Sequence, residues 1–349
     1  MKTTLVSTLG INTAVRLSLS KMQNDLVGQQ SELSTGRHFD VGMELGHKAG
    51  RTVSVRFEHS RLNQIIDTNA LVSTRLEMTQ EIMSGLVERA QGFIDAVIAS
   101  RDGFIGQEIA PQEGRVVLSY MVSQMNTSLN GEQLFSGINT DLETLTDYSA
   151  SPAPASKLAV DAVFLAEFGI TQSDPGVASI SATAMQTFLD GSFATEFEPA
   201  AWSSNWSAAS DQNVTSRIAP DTVVETGTNA NLEPFRKLAK AFTMMADLGA
   251  EDLNKQAFQA VSDTAISLAS EAISELSFVQ GKMGVDEQRI ERSNRMMSLQ
   301  IDILNNDAAQ LESVDAYETS TRINQLISQI EVSYAVTGRL QQLSLVRYL

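Results

Sequence analysis

The sequence predicts a mainly α protein: a long antiparallel coiled-coil bundle formed by the N- and C-terminal segments, with a small central insert of α/β or mostly β character. Three observations lead there. Apolar residues recur at alternating steps of four and three near both ends, which holds one stripe on one side of a helix. No proline follows Pro234. The stretch from 138 to 231 differs in kind, holding five of the seven prolines and both tryptophans.

The leading repeat runs through Val15, Leu19, Met22, Leu26, Gln29 and Leu33, with Gln29 its one polar member. Ser34, Thr35, Gly36 and Arg37 make a stop, and the glycines at 42, 46 and 50 predict a loop or hinge from Phe39 to Gly50. A second long helix follows through Leu62, Ile66, Asn69, Val72, Leu76, Thr79, Met83, Leu86, Ala90, Phe93 and Val97. Polar Asn69 and Thr79 in that seam set register at some loss of stability. Gly103 and Gly106 end the helix, and Pro111 suits the first turn of a third. That helix carries Leu118, Met121, Met125 and Leu129 up to an Asn130-Gly131 turn.

The insert carries twelve acidic residues against Lys157 and Arg217, so it should lie on the surface as a separate folding unit facing water. Alternations at Leu158-Val160-Ala162 and Ser179-Ile180-Ser181-Ala182, with Asp174-Pro175-Gly176 between them, predict strands and turns. Helical spacing returns with Leu232, Phe235, Leu238, Phe242 and Met245 and continues through Val261, Ala265, Leu268, Ala272, Leu276 and Val279, until Gly281 and Gly284 interrupt it. From about Asp286 a last helix carries Met297, Ile301, Leu304, Ala308 and Leu311, then, after a phase shift, Leu326, Ile330, Tyr334, Leu340 and Leu343. At 1.5 Å per residue it would be roughly 90 Å long, more than a compact domain spans, so it needs partners along its length. The expected layout is an assembly helix over 1–40, half a bundle over 41–137, the acidic insert over 138–231, the other half over 232–284 and a second assembly helix over 285–349.

Composition narrows the function classes. A net charge of -17 opposes binding to nucleic acid or an anionic membrane. The absence of cysteine removes disulfides, thiolate metal sites and thiol nucleophiles. Polar residues interrupt every apolar run near the N-terminus, so no secretory core is expected there, and no segment reaches the roughly 18 apolar residues that cross a bilayer.

No catalytic, cofactor or metal site is expected. His38, His47 and His59 fall in one region without a zinc-type pairing. Gly42 to Lys48 misses a phosphate loop by one residue of spacing and by Ala49 where a hydroxyl is needed. Ser136 lacks the first glycine of a nucleophile elbow, and the acidic insert has no calcium-loop pattern.

The candidate functional residues are therefore an assembly interface: Val15, Leu19, Met22, Leu26 and Leu33 from the leading seam, with Leu326, Ile330, Tyr334, Leu340 and Leu343 from the trailing one. Closing a bundle between segments about 300 positions apart is entropically slow. The terminal segments should stay frayed until further copies of the chain complete their packing.

Leu33-Ser34-Thr35-Gly36-Arg37 resembles the signature that ends the N-terminal helix of bacterial flagellins. Gly281-Lys-Met-Gly-Val-Asp-Glu-Gln-Arg-Ile-Glu291 is similar to the turn that opens their C-terminal helix, and Asn130-Gly-Glu-Gln-Leu-Phe-Ser-Gly137 resembles a stretch of the hook-associated relatives. The resemblance covers about residues 1 to 137 and 232 to 349 in the right order. The chain departs from many flagellins in carrying Val41-Gly-Met-Glu-Leu-Gly-His-Lys48 instead of an acidic Asp-Asp-Pro-Ala segment, and in ending in Val-Arg-Tyr-Leu.

The resemblance implies a structural flagellar subunit, exported through the flagellar secretion apparatus without a cleaved signal peptide and assembled outside the cell. It implies as partners a ring of its own copies, a neighbouring hook-associated protein, flagellin, and an export chaperone on the C-terminal helix. A filament subunit, an enzyme carried in the insert and a cytosolic coiled-coil scaffold are the alternatives.

Overall fold

The computed structural model describes residues 8–103 and 106–346, without the side chains of residues 8, 9, 11, 12 and 340–346. In chain order the elements begin with helices α1 (Thr8–Thr35), α2 (Val41–Leu45), α3 (Ala49–Arg101) and α4 (Ile109–Met125) and a short hairpin, β1 (Ser128–Leu129) with β2 (Glu132–Gln133). The insert follows as α5 (Ala155–Phe168), α6 (Ala182–Asp190), α7 (Ser192–Thr195), α8 (Pro199–Asn205) and a second hairpin, β3 (Thr215–Ala219) with β4 (Thr222–Glu225). Helices α9 (Glu233–Asp247), α10 (Lys255–Glu312) and α11 (Ala316–Val346) complete the chain. These elements form two compact units, one of residues 1–63 with 297–349 and one of residues 64–296; α3 and α10 contribute to both.

The terminal unit has the predicted antiparallel layout. Helices α1 and α11 pack along each other in opposite directions, with Gln23 donating to the Tyr334 hydroxyl at 2.9 Å and the Val314 N–H donating to the Gly36 carbonyl at 3.1 Å. The stretch expected to be a loop is more ordered than its glycines suggest. Asp40 caps α2 by accepting from the Met43 N–H at 2.9 Å, a single 3-10 turn spans Gly46–Lys48, and α3 begins at Ala49 and runs through Gly50. The expected single last helix is two, divided at 313–315, where the Asp315 carboxylate caps α11 by accepting from the N–H groups of Tyr317 and Glu318.

In the larger unit one continuous core joins α3, α4, α9 and α10 to the insert. The separate folding unit expected over 138–231 is thus replaced by a shared core. The chain leaves the helices at Ser136 and returns at Asn229, which bridge each other, while the Ala230 N–H donates to the Phe135 carbonyl at 2.8 Å. The insert's aromatic residues explain why it cannot stand apart. Tyr148 stacks on Trp206, Trp206 on Trp202, and a run of ring contacts continues through Phe197, Phe193 and Phe188 to Phe164. Each large ring buries 150–250 Å² and needs neighbours on several sides.

Strands form elsewhere than the alternation suggested. Leu158 to Ala162 lies within α5, and Ser181 is the N-cap of α6, its hydroxyl accepting from the Ala184 N–H. Five residues of alternation do not separate a strand from one side of a short helix. The insert's hairpin instead folds around Pro220-Asp221, flanked by the β-branched Thr215, Ile218, Thr222, Val223 and Val224. Gly281 and Gly284 do not interrupt α10. Each mid-helix glycine costs about 1 kcal/mol, which burial of Leu276, Met283 and Ile290 on the inner side outweighs.

The Asn130–Gly137 stretch shows what its residues are for. Asn130 and Gly131 both have positive φ, 54° and 87°, which the tight β1–β2 turn requires. Leu134 and Phe135 are buried, and Phe135 packs edge-on against Phe235. At Gly137, φ is 62° and a Cβ would lie 2.4 Å from the Ser210 carbonyl oxygen, so no larger residue fits.

Candidate assembly surface

The repeat in α1 produces a half-buried seam. Val15, Leu19, Met22, Leu26 and Gln29 are each partly withdrawn from solvent, at the spacing read from the sequence, whereas Leu33 is exposed. On α11 the corresponding row is Thr319, Ile323, Leu326, Ile330, Ser333 and Thr337. Leu326 and Ile330 sit in it as expected. Tyr334 does not: it is exposed one position to the side, where its hydroxyl accepts from Gln23. Steps of three and four from Ile323 continue through the small polar residues Ser333 and Thr337, which carry no apolar mark. The side chains of Leu340 and Leu343 lie outside the described residues.

A two-helix seam covers only one side of each helix. In the terminal unit the buried apolar side chains among the described residues are Val55, Leu62 and Met297, while Leu17, Val27, Leu33, Phe39, Met43, Val53, Phe57, Leu299, Ile303, Ile327, Val332 and Val336 are exposed. Exposed apolar side chains in such density leave this unit with much apolar surface that its own packing does not cover.

A charged corner fixes how α1, α3, α10 and α11 meet within this unit, and composition alone did not reveal it. Gly36 ends α1 in a left-handed conformation, φ 67°, its N–H donating to the Glu32 carbonyl at 2.8 Å. The next residue, Arg37, approaches the Glu312 carboxylate at 3.8 Å, and Arg56 from α3 donates to both oxygens of that carboxylate at 2.8 and 2.6 Å. The Glu312 side chain is only 1% exposed. Its hydrogen bonds from Arg56 hold its pKa below the ordinary glutamate range against the opposing effect of desolvation, and the same bonds raise Arg56. The His38 N–H donates to the Glu312 carbonyl, and the Phe39 N–H to the Glu32 carboxylate at 2.9 Å. One turn away, Arg51 makes a forked pair with Asp307. The signal available in the sequence was Arg37 itself, a cation immediately after a helix-ending glycine.

Elsewhere the ionisable groups serve the fold. Lys157 links Asp161 and Asp247, at 2.5 and 2.9 Å, while the Tyr148 hydroxyl donates to Asp247 at 2.6 Å. Burial drives the pKa of both Tyr148 and Asp247 upward. The neighbouring cavity, about 220 Å³, is lined by Arg115, Ser119, Tyr148 and Lys157; Arg115 and Lys157 are already paired, Arg115 with Glu251. The three histidines remain scattered along the first turns after α1 and the start of α3, with His59 beside Asn63. No helix among the described residues is long and apolar enough to cross a membrane.

A family model of the bacterial flagellin N-terminal helical region matches residues 6–140, and one of the bacterial flagellin C-terminal helical region matches residues 266–349. Together they cover more than half of the chain, leaving out most of the insert. No curated protein sequence matches the chain. Among solved structures it is similar in fold to a protein from Vibrio parahaemolyticus described as a flagellar hook-associated protein, at 11% identity and a TM-score of 0.52, covering 76% of this chain and 97% of that one.

Proposed function

Because the chain belongs to the bacterial flagellin family, a family of structural flagellar components, we propose that it is the adapter at the hook-filament junction, the member known as hook-associated protein 3. The observation that carries an assembly role is the terminal unit, in which the α1–α11 seam is half-buried, the buried apolar side chains among the described residues are Val55 and Leu62 of α3 and Met297 of α10, and the remainder is largely uncovered. A flagellar subunit is added where its neighbours wait, so incomplete terminal packing suits a part that finishes folding in place. The junction reading is further supported by the Asn130–Gly137 stretch, whose glycine and paired apolar residues each have a structural task, and by the lack of the acidic segment after Arg37.

In this reading copies of the chain form a ring beyond the hook, contacting a hook-associated neighbour on one side and flagellin on the other. Val15, Leu19, Met22, Leu26, Leu326 and Ile330 hold α1 to α11 and, with Leu33, Tyr334, Leu340 and Leu343, form the surface that neighbouring copies cover. The chaperone masks the C-terminal helix before export. The chain catalyses nothing and acts outside the cell, its acidic insert turned to solvent.

Immuno-electron microscopy of intact flagella tests the assignment. A label confined to the distal end of the hook is expected. A label along the whole filament would identify a filament subunit, and detection only inside cells would leave a scaffold.

A further inference from the structure

The part-buried lysines among the described residues are Lys157, Lys237 and Lys240. Two of them are neutralised where they lie. Lys157 pairs with Asp161 and Asp247, and Lys237, on α9, pairs with Glu233, Glu271 and Glu275 at 3.2, 3.1 and 2.6 Å. Lys240, one turn further along the same helix, makes neither an ion pair nor a hydrogen bond.

Its surroundings explain why it is withdrawn from water. Helix α9 is enclosed along most of its length, and Leu238, Ala239, Ala241 and Phe242 around Lys240 are all buried. One turn earlier Arg236 donates to the carbonyls of Asn231 and Phe197, which draws this side of α9 against the segment leading into α8. The charged groups that act on Lys240 are Asp190 at the end of α6 and Glu198 just before α8, and neither is close enough to pair with it. The amine nevertheless reaches solvent, for it is not among the enclosed polar atoms that lack a partner.

An ammonium held in this way loses hydration without gaining the pairing that offsets the loss, so the uncharged amine is favoured. Burial draws Lys240 below the ordinary lysine range, and the two carboxylates only partly oppose that shift. The uncharged amine is the nucleophilic form of lysine.

We propose that Lys240 is a modification site, the lysine of this chain that an uncharged acyl thioester acylates first. The inference is independent of the assembly reading above. The amine lone pair attacks the acyl carbon, the C–N bond forms as the C–S bond breaks, the thiolate leaves, and the proton released from nitrogen passes to water. Asp190 and Glu198 select an uncharged donor, because both repel an anionic one of the acyl phosphate class. The amide produced carries no charge, so acylation removes a part-buried cation that no carboxylate pairs.

The test incubates the full-length chain with S-acetyl-N-acetylcysteamine and follows each lysine by mass spectrometry of the digested protein. At neutral pH, Lys240 should be acetylated at least roughly tenfold faster than the ion-paired Lys237. It should also react faster than the exposed Lys48 and Lys255, with a pH profile whose midpoint lies below theirs, and urea should erase the order. Acetyl phosphate should lose this preference for Lys240. Lys240→Met should abolish the fast reaction and melt at or above the temperature of the parent chain. Reaction at Lys240 that trails the exposed lysines, or that shares their midpoint, would overturn the inference, as would a methionine variant that melts well below the parent. None of these results bears on where the protein assembles.

Discussion

In residues 64–296 both tryptophans and most of the phenylalanines are sealed. Trp202, Phe93, Phe135, Phe164, Phe188 and Phe235 are wholly buried, packed among helices on several sides. In the terminal unit the heptad spacing is as regular, yet its seam residues are only partly covered and much of the chain's exposed apolar surface lies there. The difference shows that a repeat specifies which side of a helix meets a partner, whereas the number of layers decides how much is buried. A pair of helices has one shared face; a core built from four long helices and an aromatic-rich insert surrounds its residues. The larger unit therefore encloses its core, whereas the terminal unit leaves its seam half-covered.

Substitutions should separate the two. Trp202→Ala removes the largest buried ring and should cost the larger unit about 3–5 kcal/mol, seen as a lower denaturation midpoint for its tryptophan and near-ultraviolet signals. Truncation at a half-covered seam position, Leu26→Ala, removes three carbons and should cost only about 1 kcal/mol. Equal losses would dissolve the distinction between a sealed core and an open seam. Leu26→Asp or Ile330→Asp should abolish assembly and swimming while the transition of the larger unit stays where it was. Normal motility in such a mutant would remove these positions from the interface.

The charged corner sharpens the comparison within the terminal unit. Glu312→Gln keeps the shape but removes the charge received by Arg56 and Arg37, and should destabilise this unit by about 2 kcal/mol, read from the helical signal lost at low denaturant. Acid should act in the same place. Because the folded pKa of Glu312 is depressed, its contribution is fully present above the ordinary glutamate value of about 4.3 and is lost as pH falls through the lower folded value. Below about pH 4 the terminal helices should loosen first, and the Glu312→Gln variant should lack this component of the acid response. A smaller effect is expected at Asn69, whose amide donates to the Ile218 carbonyl and to Asn294 while its own oxygen is unpartnered. Asn69→Leu should change stability by no more than about 1 kcal/mol, because it removes an unsatisfied polar atom along with two hydrogen bonds; a native-like melt with altered α3–α10 pairing would show the register role.

Much of this architecture was legible from residue spacing. The rows in α1, α3 and α10 emerge where the repeats place them, since an apolar stripe at 3.5-residue spacing leaves little choice of face. The turn at Asn130-Gly131 and the end of α1 at Gly36 were legible because their backbone conformations favour those residues. What escaped was decided by contacts distant in sequence. Leu158 to Ala162 is helical because Val160 and Phe164 reach a core assembled from both halves of the chain, which local alternation cannot reveal. The Glu312 corner unites residues 37, 56 and 312, and the polar end of the α11 row, Ser333 and Thr337, carries no apolar mark.

Hydrogen exchange on the purified monomer addresses the contrast between the two units most directly. The account predicts slow exchange through the helices of residues 64–296 and fast exchange through α1, α11 and the adjoining parts of α3 and α10, slowing only when copies assemble. Uniformly strong protection of both units in the isolated monomer would contradict it.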